Sequence, residues 1–206
     1  MTSQKSAIAD EKTARTPQRA RGQRRVAALL DAARDVFAAK GYEAATMTEI
    51  AAGAGAPIGS LYQFFPSKES LADALLAGFR DRLVESLEEV RGRASDLSPA
   101  DLADALLAVI PRHQAERAAV LALIDARPAG WPAPGVIRRR LRAGVSAVLL
   151  AHRPGAAEVR AEALAAVVLQ LMKDFASLSA EEGMPSRALV LEEVRALTRL
   201  AIEGRL

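Results

Sequence analysis

Apolar residues recur along this chain every three or four positions, and that pattern restricts it to packed helices. Val26, Leu29, Leu30, Ala33, Val36 and Phe37 fall at i, i+3, i+4, i+7, i+10 and i+11, a spacing that gives a helix one apolar face. Leu71, Leu75, Phe79, Leu83, Leu87 and Val90 form a longer stripe of the same kind. No segment alternates apolar and polar residues at period two with β-branched enrichment, so no strand is expected. The predicted fold class is all-α, with about nine helices.

Breaks and caps divide the pattern. Lys40-Gly41 ends the first helix, with a cation in the last turn and then the residue that most easily takes a left-handed cap. Thr46-Met47-Thr48-Glu49 has the form of a capping box, in which the Thr46 hydroxyl accepts from the amide of residue 49 and Glu49 reaches back. Gly55 interrupts the helix so begun, and Pro57 suits the first turn of a short one carrying Leu61, Phe64 and Phe65. Ser67 is placed to cap a long fourth helix that stops near residues 92–98. Further helical segments are expected at about 99–111, 113–127, 134–152, 155–179 and 186–203, each bounded by Pro or Gly.

Net charge is only +3, but it is unevenly spread. Residues 1–25 hold Lys5, Lys12, Arg15, Arg19, Arg21, Arg24 and Arg25 against Asp10 and Glu11, so the remaining chain is slightly acidic. A basic arm on a near-neutral body points to a polyanion met at one end. Residues 1–20 lack hydrophobic periodicity and are expected to be disordered when free. The expected organisation is therefore an arm at 1–20, a DNA-binding domain at 21–66 and a helical effector-binding and dimerisation domain at 67–206, with 67–90 as connecting helix. Aromatics make up 4% of the residues, leaving the core to Leu, Val, Ile and Ala. With no cysteine, the chain offers no disulfide framework, thiolate metal site or thiol catalysis. No apolar run approaches the ~20 residues that span a bilayer, and no secretory pattern is visible, so a cytoplasmic location and no membrane partner are expected.

Residues 47–64 satisfy the demands of a helix-turn-helix. Two short helices crossing steeply need a small residue at the crossing, a turn residue tolerant of positive φ, and apolar positions that lock them. Ala51 supplies the first and Gly55 the second, while Ile50, Ala54, Ala56, Leu61 and Phe64 fill the apolar positions. Pro57, Ile58, Ser60, Tyr62 and Gln63 are then presented outward. In a major groove such a helix reads base edges with its N-terminal residues. Gln63 can bond bidentately to adenine and Ser60 can donate or accept, while Gly59 allows close backbone approach. Thr46, Thr48, Tyr62 and Lys68 carry groups suited to phosphate oxygens, as do Arg21, Arg24 and Arg25 just upstream.

Residues 24–79 resemble the N-terminal domain of the tetracycline-repressor (TetR) family. The segments Phe-x3-Gly-Tyr, Thr-x-x-Glu-Ile-Ala, Ala-Gly, Gly-Ser-Leu-Tyr and Phe-Pro-Ser-Lys-Glu-Ser-Leu occur in the family's order and spacing. The resemblance implies an all-α homodimer whose first three helices bind DNA and whose last two helices pair with a second subunit. It further implies a small-molecule pocket among the middle helices. By position it gives DNA-contact roles to Thr46, Thr48, Pro57, Ser60, Tyr62, Gln63 and Lys68. Gln63 stands where the family more often has His, and Ala56-Pro57-Ile58 replaces the commoner Val-Ser-Lys.

The C-terminal two-thirds carries weaker signals. Leu164, Val168 and Leu171 in one segment, with Val190, Val194 and Leu197 in the next, are the candidate dimer face, the alternative being an intramolecular core. His113, Asp125, Trp131, Gln170, Met172 and Phe175 are the candidate pocket residues. Met and Phe at helical spacing also serve as ordinary core.

No catalytic or metal-binding pattern is present. The two histidines, His113 and His152, lie in no metal-ligand spacing, and no phosphate loop or nucleophile elbow occurs. The chain is read as a non-enzymatic regulator with no cofactor. Its expected partners are a double-stranded operator, a second copy and a small-molecule effector, with release from a palindrome by the effector. The competing reading is a ligand-independent DNA-binding protein such as a chromosome-organisation factor.

Overall fold

The computed structural model describes residues 15–126 and 135–206, with side chains of residues 15–19, 125, 135 and 136 left aside. Among the described residues there are nine α-helices and no strand. They are α1 (Arg15–Ala44), α2 (Met47–Gly53), α3 (Ile58–Phe64), α4 (Lys68–Arg91), α5 (Pro99–Leu107), α6 (Gln114–Ala126), α7 (Gly135–His152), α8 (Glu158–Ala180) and α9 (Arg187–Arg205). Short 3-10 turns at Ala94–Asp96 and Pro111–His113 flank α5. The chain divides into two compact units, with the boundary between Ala74 and Leu75.

In the first unit, α1 begins at Arg15, where hydrophobic periodicity placed the start at Arg21. Pro17 is accommodated because the amides of a first turn have no intrahelical acceptor to lose. The arm upstream lies outside the described residues. Gly41 breaks α1 at φ 75 and ψ 172, a region open in practice to glycine alone rather than the left-handed cap expected. Leu29, Ala33 and Phe37 of α1 are fully buried, with Ile50 of α2, Leu61 of α3 and Leu71 and Ala72 of α4. The first turns of α4 therefore belong to this core, and the boundary falls later than residue 66. Ser67 caps α4 as expected: its hydroxyl accepts from the Ser70 amide at 3.2 Å, and Ser70 reciprocates.

In the second unit α7 packs on α8, α8 on α9, and α5 on both α8 and α9. Leu83, Leu87 and Val90 of α4 join this core with Leu102, Leu106, Val145, Leu149, Val168 and Met172. Contact between α4 and α7 is close at Gly144, where a Cβ would sit 2.9 Å from Leu87 Cδ1. Ser98 caps α5 by accepting from the Asp101 amide at 3.1 Å.

Contrary to the sequence expectation, α8 is long and apolar enough to cross a membrane by length and composition, with a mean hydropathy of 1.4 over 18 residues. An alanine-rich helix with few charges meets that measure without a continuous run of large side chains. Its Leu164, Ala165, Val168, Met172 and Ala176 lie in the chain's own core.

Candidate nucleic-acid interface

The helix-turn-helix begins with a cap. Thr46 accepts from the Glu49 amide at 3.2 Å, and Glu49 Oε2 accepts from the Thr46 amide at 3.2 Å. Lys40 at the end of α1 pairs with the same carboxylate. These bonds hold the Glu49 carboxyl below its ordinary range, the Lys40 contact being the largest cause and Thr46 the next. The turn is tied by backbone: Gly55 N–H donates to Ala52 O at 3.0 Å and Ala56 N–H to Ala51 O at 2.9 Å. Gly55 takes φ 58, as the turn requires. Ala51 is buried at the crossing, and Leu61 and Phe65 fix α3 inward.

One expected apolar position is wrong. Phe64 is 40% exposed and Phe65 fills the core in its place. Helical phase does not separate them, since i+3 and i+4 share the face of Leu61. Phe65 is the extended C-cap of α3, its amide donating to Leu61 O at 2.8 Å, and it is the ring that the neighbouring helices cover.

The outward side of α3 carries Gly59, Tyr62 and Gln63, with Pro57 as its N-cap residue rather than within its first turn. Tyr62 is 50% exposed, and Ile58 and Phe64 add apolar surface beside it. Ser60 is half-buried and accepts from Arg25 Nη1 at 3.2 Å. That bond, across 35 positions of sequence, was not legible in the spacing; it joins α1 to α3. Arg21, Arg24 and Arg25 are exposed and form no carboxylate ion pair among the described residues; Arg24 turns back to Ala20 O at 3.4 Å. Thr48 is exposed at the start of α2. The Thr46 hydroxyl, by contrast, donates to Glu49 Oε2 at 3.0 Å, so its hydrogen is committed to the cap.

Lys68 departs furthest from expectation. Its ammonium donates to three carbonyls, Tyr42 O at 2.8 Å, Glu43 O at 3.1 Å and Ala45 O at 3.1 Å. It also lies 4.5 Å from the Tyr42 ring centroid. An ammonium has three hydrogens, and all are used, so the phosphate contact expected of Lys68 has no donor left. Tyr42 is buried beneath it, and burial first, then the Glu69 carboxylate, pushes the phenol up to about 12.

The candidate pocket residues are not brought together. His113 bonds Ser86 Oγ at 3.0 Å and meets the Phe79 ring edge-on. Met172 and Phe175 are closed into the core, Phe175 with the Arg195 guanidinium 5.0 Å from its ring. Gln170 is exposed and donates to Asp174 at 2.8 Å. The side chain of Asp125, and Trp131, lie outside the described residues.

The six residues of the candidate dimer face do not share one exposed surface in the single chain. Leu164, Val168 and Val194 are buried in the chain's own core, Leu171 and Val190 are half-buried, and only Leu197 is largely exposed. The solvent face of α8 and α9 instead presents Val167 at 52%, Leu197 at 54% and Leu200 at 56% exposure, with Val159 and Leu189. A groove of about 550 Å³ runs there, lined by Arg160, Ala163, Leu164, Val167, Leu197, Leu200, Ala201 and Arg205. Both faces of an apolar helix look alike in sequence, and only packing separates them.

Comparison with known proteins agrees with this geometry. Residues 29–75 match the profile of "Bacterial regulatory proteins, tetR family". The HTH-type transcriptional repressor KstR2 of Rhodococcus jostii (strain RHA1) is 47% identical over 62 residues, which is 30% of this chain and 30% of that protein. The match thus spans under a third of the curated relative's length. Two solved structures show the fold across most of the chain. One, described through the control of antibiotic production by bacterial hormones, has a TM-score of 0.66 at 24% identity, covering 86% of this chain and 97% of its own. The other, a regulatory protein of the tetR family from Rhodococcus RHA1, has a TM-score of 0.61 at 20% identity, covering 86% and 96%. The cap-bound α2, the glycine turn and the outward α3 lie within the segment that is similar to the tetR family of bacterial regulatory proteins.

Proposed function

We propose that the protein is a cytoplasmic transcriptional repressor that binds a palindromic operator as a homodimer and leaves it when a small-molecule effector binds. The observation that carries this reading is α3, locked inward by Leu61 and Phe65 and presenting Tyr62 and Gln63 outward beside three exposed arginines of α1. Tyr62, Thr48, Arg21, Arg24 and Arg25 grip phosphate, and Gln63 reads a base edge. Ile58 and Phe64 add methyl and ring surface suited to a thymine methyl. One α3 per chain reads one half-site, so a palindrome needs two copies with reading helices roughly 34–36 Å apart. The exposed stripe of Val167, Leu197 and Leu200 supplies a self-complementary face for that pairing. The effector acts in the second unit and works through α4, the helix in which the two units join, with a coupling of ~1–3 kcal/mol.

One observation favours a ligand-independent chromosome-organisation factor instead: Met172 and Phe175, expected at a cavity, fill core. Selection of bound sequences from a random duplex pool with the full chain separates the two. A repressor enriches a palindrome found at one or a few promoters. Binding without an enriched palindrome would favour the alternative, and no binding at any salt would defeat both.

A further inference from the structure

The joint between α1 and α2 is built from groups that need a cation. Gly41 turns the chain out of the helix, which leaves carbonyls at the end of α1 without amide partners. Tyr42 and Ala45 are buried, at 3% and 2% exposure, so their carbonyls are poorly placed to find water. Lys68 Nζ reaches Tyr42 O, Glu43 O and Ala45 O from the first turn of α4. The residue after Ala45 is Thr46, the cap of α2, whose Glu49 partner is itself held by Lys40. Two lysines thus pin the joint, one on the carbonyl side and one on the carboxylate side. The amide of Thr46, its hydroxyl and the first turn of α2 all follow from where that joint lies, and α3 packs on α2.

We propose that Lys68 is a positioning residue for DNA binding: it fixes the α1–α2 joint, and through it Thr48 and the reading helix, without touching DNA. To meet a phosphate it would have to release three carbonyls, two of them on buried residues, and a buried acceptor left unpaired is costly. This inference rests on the DNA-binding reading above. It differs in kind from a phosphate grip, because a phosphate grip releases counterions and a positioning residue does not.

Arginine separates the two roles. Its planar fork grips a phosphate at least as well as an ammonium, but it cannot aim three hydrogens from one nitrogen at three converging carbonyls. The experiment is operator binding across a salt series for the full chain, Lys68→Met and Lys68→Arg, with thermal unfolding of each. The expected result is an affinity loss of about tenfold in both variants, salt slopes parallel to the parent, and lowered midpoints for both. Restoration of affinity in Lys68→Arg, with a slope reduced by about two per dimer in Lys68→Met, would overturn the proposal. Should a variant not fold, the wild-type chain still decides. The Lys68 ammonium should keep slow hydrogen exchange by nuclear magnetic resonance both without and with operator bound, and exchange that quickens on DNA would refute the clasp. If the parent binds no DNA, the functional reading fails, while the unfolding midpoints still test the clasp itself.

Discussion

Single residues on α3 divide into those that face solvent and those that hold the helix in place. Gln63 is exposed, and its amide can pair with the N6 and N7 of adenine. Gln63→Ala should cost ~1–3 kcal/mol on the best operator and relax preference at one base pair per half-site. Competition binding against operators changed one position at a time reads this out; a uniform loss on every sequence would assign Gln63 to support rather than reading. Ser60 is a different case. Its hydroxyl accepts from Arg25, so its capacity to bond a base is shared with α1. Gln63 was legible from its place in an 18-residue pattern, but the Arg25 contact was not, because nothing local ties positions 35 apart.

At the scale of the element, the caps carry the chemistry. The Glu49 carboxyl is held below its ordinary value of 4.5 by Lys40 and then Thr46. A carboxyl depressed in the folded state adds stability that is present above the unfolded value and lost as pH falls through the folded one. Glu49→Gln should therefore be less stable than the parent at neutral pH, with the gap closing below about pH 4. Denaturant midpoints at pH 7 and pH 3 check this; a gap that widens in acid would reverse the assignment.

The break in α1 makes a second demand on its residue. Gly41→Ala meets no atom within 4 Å of its Cβ, so its penalty is conformational alone. At φ 75 and ψ 172 that penalty should be ~1–3 kcal/mol by chemical denaturation. A change within about 0.5 kcal/mol, the range of an ordinary surface substitution, would show that the break relaxes. The Thr-x-x-Glu cap was readable because both partners lie within one turn. The carbonyls capped by Lys68 were not, since the lysine comes from a helix 23 residues downstream of Ala45.

For the whole molecule, the exposed apolar stripe on α8 and α9 is the feature that a lone chain leaves unexplained. Val167, Leu197 and Leu200 line or border a groove with Ala163 and Ala201 between them, small residues that let helices approach. Leu197→Asp should give a monomer in sedimentation equilibrium. It should also lower operator affinity by roughly 100-fold or more, because the second half-site is no longer held at high effective concentration. A variant that stays dimeric would move the subunit contact elsewhere. Val168→Ala, by contrast, should lower stability and leave the oligomeric state alone, since Val168 lies in the chain's own core.

Helix content, the capping box, the glycine turn and the outward display of Tyr62 and Gln63 were determined by the sequence itself. Each depends on bonds or side-chain phases within about one helical turn to a few turns, where spacing and geometry are the same thing. Tertiary structure alone decided which side of α8 and α9 is core, that Phe65 and not Phe64 closes α3, and that Met172 and Phe175 pack rather than line a cavity. In an alanine- and leucine-rich helix, two faces separated by one position are equally apolar, so the choice belongs to the neighbour that packs. Lys68 shows the same rule for charge: a lysine just past the second helix of a helix-turn-helix is suited to phosphate by chemistry, and three carbonyls brought to it by the fold take its hydrogens instead.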